Sequence, residues 1–239
     1  MKSLQQALAD FDVMFPDKKA IFSALWLLRG RCSCGSIEFV VKDDGRTRRC
    51  KGCKSRVSVT AGTVFDRVRK ISAWLRALWL LASGFNMSAA QMSKAVGLCL
   101  SSTWEMMQRF RLLSLGELPD ELSSLAFAFI DLVARRSRET PEHCHPSASL
   151  QRDGDFGWAE KAHLPAEAEL AIKATSGFIR NLFQTVSYKY LQPYVAELAF
   201  VWNKERWSLS ALLSLCLNAA PITRKDILDY VSPQRIRLV

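Results

Sequence analysis

Four thiols and a knot of positive charge share one short stretch of this chain. Cys32 and Cys34 are followed by Cys50 and Cys53, with Gly35 directly after the first pair and Gly52 inside the second. Two close cysteine pairs separated by a loop are the pattern with which thiolates surround zinc, and four of them leave no open position for a substrate. The ion would therefore be structural, standing in for an apolar core that so short a segment cannot build. The second pair has the usual two-residue gap and the first is one residue tighter. Both glycines suit the positive φ of a metal-binding turn. Disulfides are not expected, because the seven cysteines are an odd number and no secretory signal precedes them.

The net charge is +10, and its location says more than its size. Residues 1–70 carry 15 Lys/Arg against 7 Asp/Glu, whereas residues 119–239 carry 14 against 14. Arg46, Arg48, Arg49, Lys51, Lys54 and Arg56 crowd around the second cysteine pair. Such a cluster on a metal-braced loop is the electrostatic footprint of contact with a phosphate backbone, with an affinity that falls as salt rises. Double-stranded DNA is the expected partner.

The elements that position these residues follow from periodicity. Apolar residues at helical spacing occupy residues 4–29, broken at Pro16. Residues 37–41 and 57–60 read as short strands, with a turn at Asp44-Gly45. From Ile71 a helical stripe runs to Gly84. Ser88 then caps a short helix to Val96, Gly97 turns the chain, and a longer helix runs from about Ser101 to Leu115. This is helix-turn-helix spacing, in which small Ser93 lets the helices approach and Thr103-Trp104 face inward. Ser101, Ser102, Glu105, Gln108 and Arg109 would then face outward. Residues 135–157 show little periodicity, and His143-Cys144-His145, being adjacent, do not easily converge on one ion. Further helices begin at Leu191 and Leu209, and their dense apolar faces suit packing on the rest of the chain or on a second copy. No apolar run reaches the roughly 18 residues of a membrane span, so a soluble, cytoplasmic protein without membrane contact is expected.

In this order, the residues resemble bacterial insertion-sequence transposases of the zinc-ribbon DDE type. The similarity runs through Phe15-Pro16-Asp17, the four cysteines with Gly35-Ser36 and Arg49, and Ser58-Val59-Thr60-Ala61-Gly62-Thr63-Val64-Phe65. It continues at Trp74, at Thr103-Trp104 with Arg109 and Arg111, and from Tyr190-Leu191-Gln192 to Asn203. The resemblance implies an RNase H-like catalytic domain in which two aspartates and a glutamate or its substitute hold two divalent metals for strand cleavage and joining. Asp131 stands where the first aspartate belongs, but Leu132 follows it and Ser176 occupies the third position. Only 44 residues separate Asp131 from Ser176. Completing such a sheet takes about 70. Asp153 and Asp155 sit in a Gly-flanked polar stretch that reads as a surface loop.

The expected fold is mainly α with a small β zinc ribbon, a helix-turn-helix after it, C-terminal helices and no complete RNase H-like sheet. The segments are 1–30 (helical), 31–66 (ribbon), 70–118 (helix-turn-helix), 119–176 (degenerate catalytic remnant) and 177–239 (C-terminal helices). The expected function is zinc-dependent binding of DNA, by resemblance at the terminal inverted repeats of a mobile element, on the bacterial nucleoid. No catalytic residue is expected beyond Asp131 as a remnant. Two alternatives stay open: an active transposase using Mg or Mn with other carboxylates, and a zinc-braced adaptor that binds protein.

Overall fold

The computed structural model describes residues 2–41, 45–115, 127–131, 147–151, 181–182, 188–202 and 208–231. The described residues are mostly helical, with one three-stranded antiparallel sheet and one two-stranded pair. The chain divides into two compact units, Met1–Arg109 with Asn203–Thr223, and Phe110–Trp202 with Arg224–Val239.

The first unit opens with α1 (Leu4–Met14) and α2 (Lys18–Arg29). Pro16 has no amide hydrogen to continue a helix, and Asp17 restarts one by accepting the Ala20 N–H at 2.8 Å. The sheet follows as β1 (Phe39–Val41), β2 (Thr47–Cys50) and β3 (Arg56–Ser58), in that spatial order. Its central strand, Thr47-Arg48-Arg49-Cys50, was not among the expected strands, because polar side chains hide the alternation that marks a half-buried one. Helices α3 (Ile71–Ala82), α4 (Ala89–Val96) and α5 (Leu100–Leu115) come next. Ser88 and Gln91 form a capping box at the start of α4, and Gly97 ends it in the left-handed region at φ 70.

Beyond α6 (Leu191–Trp202) of the second unit, α7 (Leu209–Asn218) belongs to the first and packs on α2 and α3. Its Leu212, Leu213, Cys216 and Leu217 are buried, and the Cys216 carbonyl accepts the Val64 N–H at 3.2 Å. Segments 1–30 and 31–66 both lie in the first unit and are held to one another. The reason is local: Trp26 of α2 donates Nε1–H to the Gly45 carbonyl at 2.9 Å and packs at a tilt against Phe39, 5.0 Å between ring centres. Arg29 Nη1 also donates to the Ser58, Val59 and Ala61 carbonyls at 2.9, 2.7 and 3.0 Å. Within segment 177–239, α7 lies in the first unit and α8 (Arg224–Asp229) in the second.

In the second unit β4 (Phe127–Asp131) pairs antiparallel with β5 (Ser147–Gln151), placing Asp131 opposite Ser147. Strand β5 falls in residues 135–157, the stretch that shows little periodicity. Arg111 Nε donates to Glu197 Oε2 at 2.7 Å, both side chains being buried, and the guanidinium lies 3.9 Å from the Tyr194 ring centre. Leu132, His143-Cys144-His145, Asp153, Asp155 and Ser176 lie outside the described residues.

Candidate metal centre and basic face

Two turns bring the four cysteines together. The Gly35 N–H donates to the Cys32 carbonyl at 2.9 Å, and the Cys50 N–H donates to the Ser55 carbonyl at 3.0 Å. Gly35 adopts φ 86 as its position requires, but Gly52 is not in the left-handed region; Lys54 is, at φ 61. The need for glycine at 52 is spatial instead, because a Cβ there would stand 3.1 Å from Ser36 Cβ and 3.6 Å from Cys34 Sγ. All four Sγ atoms lie within 4.8 Å of one another. Cys32 Sγ is 3.7 Å from Cys53 Sγ, and Cys34 Sγ is 3.6 Å from Cys50 Sγ. These gaps are too wide for disulfides, and the cysteines are free. A tetrahedron with Zn–S bonds of about 2.3 Å has edges of about 3.8 Å, so the set can hold a metal ion and its dimensions suit zinc.

The protonation of the cluster points the same way. The Cys34 amide holds the Cys32 thiol down to about 6 against opposing burial, helped by hydrogen bonds from Cys34, Cys53 and Ser55. The Cys53 amide similarly lowers Cys50. Cys34 receives the Ser36 amide, which lowers it, yet the neighbouring Cys53, Cys50 and Cys32 and burial push it up to about 11. Backbone N–H groups thus favour thiolates where thiolates repel one another. A divalent cation removes that conflict.

Of the six basic residues singled out around this cluster, the fold turns two inward and leaves four exposed. Arg46 donates from Nε and Nη2 to Thr60 Oγ1 at 3.2 and 2.8 Å. Arg48 lies over the Trp26 ring at 4.7 Å. These two fasten the sheet to α2 and to the segment after β3. Arg49, Lys51, Lys54 and Arg56 are exposed. Lys51 pairs with Glu38 at 3.2 Å, and Arg49 Nε donates to the Lys54 carbonyl at 3.2 Å.

On α5 the first turn is exposed at Leu100, Ser101 and Ser102, and the outward expectation fails beyond it. Gln108 is only 1% exposed. Arg109 bends back to Glu105 at 2.5 Å and over the Trp74 ring at 5.5 Å. Met106, Met107 and Gln108 are successive buried residues. At 100° per residue they sweep an arc of about 200°, so this part of α5 is covered on two sides, where a single apolar stripe had suggested one. Sequence reasoning also missed Arg29, whose position after a helical stripe carried no sign of its three carbonyl partners.

Comparison of the chain with protein-family models, with curated proteins and with solved structures finds no match. No helix among the described residues is long and apolar enough to cross a membrane.

Proposed function

We propose that this chain is a DNA-binding protein in which zinc, held by Cys32, Cys34, Cys50 and Cys53 as in a zinc ribbon, orders a basic sheet against the duplex backbone. One observation carries the reading: Arg49 and Cys50 are consecutive residues of β2, so the strand that closes the thiol cluster also presents exposed positive charge. Helices α4 and α5, joined through Gly97, serve as a helix-turn-helix whose exposed Ser101 and Ser102 reach base edges. By the resemblance to zinc-ribbon DDE transposases, the target is the terminal repeat of a mobile element on a bacterial nucleoid. Strand transfer is not part of the proposal, because against the resemblance Leu132 follows Asp131, Ser176 stands at the third position, and only 44 residues separate Asp131 from Ser176.

The test is fluorescence anisotropy of the zinc-loaded chain with duplex oligonucleotides over a range of salt. Binding should weaken steeply, with a log–log slope of about −0.9 for each phosphate neutralised. Chelation or Cys50→Ser should abolish it together with the ordered sheet. Absence of any affinity for duplex DNA at low salt would overturn the reading. A protein-binding adaptor is the second reading, favoured by the exposed Ile37 before β1 and Val40 and Val41 on it. It predicts no salt-dependent DNA affinity.

A further inference from the structure

The sheet register singles out two of the exposed arginines. Arg49 on β2 and Arg56 on β3 are directly opposite one another. Antiparallel partners alternate between hydrogen-bonded and non-hydrogen-bonded pairs. The Cys50 N–H donates to the Ser55 carbonyl at 3.0 Å, and the Val59 N–H donates to the Arg46 carbonyl at 3.0 Å. Those pairs are therefore the hydrogen-bonded kind, as is Arg48 with Val57, and Arg49 with Arg56 is of the other kind. In such a pair the Cα atoms approach to about 4.5 Å and the side chains are closest. Like charges placed so oppose folding.

Among the described residues little relieves them. Strand alternation puts Arg48 and Cys50 on the face toward Trp26, and Arg49 and Arg56 on the other. Glu38, just before β1, already pairs with Lys51 at 3.2 Å. Val40 is the β1 neighbour of Arg49. Among the described residues neither arginine has a carboxylate partner, and Arg56 has no hydrogen-bond partner either. Arg49 has only its Nε engaged, with the Lys54 carbonyl, which fixes the plane of its guanidinium. Lys54 is exposed and holds the left-handed backbone, a conformation a non-glycine residue adopts at a cost.

We propose that Arg49 and Arg56 form a two-guanidinium clamp for a single phosphate, which in the complex is one diester of the DNA backbone. A phosphate oxyanion offers each guanidinium the acceptors it lacks and turns their repulsion into joint attraction. The clamp rests on the DNA-binding reading for the source of its ligand, but its chemistry can be tested without DNA.

The pair makes a prediction of unusual sign: replacing one arginine stabilises the free protein while weakening the complex. Thermal unfolding of the zinc-loaded full chain is compared for wild type, Arg49→Gln, Arg56→Gln and the double variant, in sodium chloride and in inorganic phosphate at equal ionic strength. In low-salt chloride Arg56→Gln should raise Tm by about 1–3 °C. Phosphate should raise the wild-type Tm more than that of the variants, which report the general effect of the salt. In DNA titrations the double variant should lose about 0.9 from the log–log salt slope, as for one shared phosphate. A loss of about 1.8 means that each arginine holds its own phosphate and overturns the clamp. It is overturned equally if Arg56→Gln lowers Tm in low salt, or if wild type and variants respond alike to phosphate, even with DNA binding intact. Wild-type protein that shows the phosphate effect yet ignores duplex DNA sinks the DNA reading and keeps the anion site.

Discussion

Two thiols outside the four-cysteine cluster show how far local surroundings set reactivity. Cys99, exposed at the start of α5, has its Sγ 3.5 Å from Ser101 Oγ and 3.1 Å from Ser102 Oγ. The hydroxyl of Ser101, then the hydroxyl and amide of Ser102, bring the thiol down to about 7. Cys216 is buried in α7, and burial pushes its thiol up. The thiolate is the nucleophile. Because the Cys99 value lies below that of an ordinary thiol, its reactive form accumulates as pH rises through 7. Alkylation of the native, metal-loaded chain by iodoacetamide, followed by peptide mass mapping, should modify Cys99 far ahead of Cys216. The Cys99 rate should rise about tenfold from pH 6 to pH 8. Ser101→Ala with Ser102→Ala should move the midpoint upward. A Cys99 midpoint near that of a free thiol would contradict the geometry. If the first turn of α5 meets DNA, duplex should slow the same reaction.

Between α4 and α5 the chain depends on one backbone angle. Gly97 sits at φ 70, and its N–H and that of Leu98 donate to the Ser93 carbonyl at 3.0 and 3.3 Å. A Cβ at this position would meet nothing within 4 Å, so Gly97→Ala incurs only the left-handed backbone cost of about 1–2 kcal/mol. Thermal unfolding should register a fall of about 2–6 °C, with Gly97→Asn milder. An unchanged Tm would mean that the turn relaxes without penalty. Elements of this kind were legible in the sequence because their signals are local. Pro16, Ser88 and Gly97 each mark a boundary by their own chemistry, as does the spacing of the four cysteines. What was not legible depended on distant partners. Ser93 reads as merely small, yet its hydroxyl donates to the Leu98 carbonyl at 2.6 Å. Gln108 reads as a solvent-facing residue because periodicity reports one covered face and is silent about a second. Arg46 and Arg48 count toward a basic patch until Thr60 and Trp26, brought near by the fold, claim them.

At the scale of the molecule, the unit that carries the thiol cluster and the basic face is assembled from both ends of the chain. Helix α7 follows α5 by nearly a hundred residues, and no local signal announces where it docks; its apolar face allowed another part of the chain or a second copy alike. It docks on α2 and α3, burying Leu212, Leu213, Cys216 and Leu217 in the same unit as Leu25, Leu75 and Leu78. Burial of a large apolar side chain contributes about 1.5–3 kcal/mol, so the three leucines alone approach the roughly 5–15 kcal/mol by which a whole domain is stable. A fragment of residues 1–118, the piece that the cysteine and helix motifs alone would define, therefore lacks a wall of its own core. Trp26 and Arg29, both on α2, hold the sheet and the segment after it, and Cys50 lies on the sheet face toward Trp26, so loosening α2 should loosen the cysteine-bearing segment with it. The fragment is expected to bind a hydrophobic dye, to unfold without a sharp transition, and to release zinc to a chelator faster than the full chain. A synthetic peptide of residues 203–223 added in trans should reverse all three, whereas the same peptide carrying Leu213→Asp should not. A cooperative, dye-negative fragment that keeps its metal without the peptide would show that α7 is dispensable to the unit.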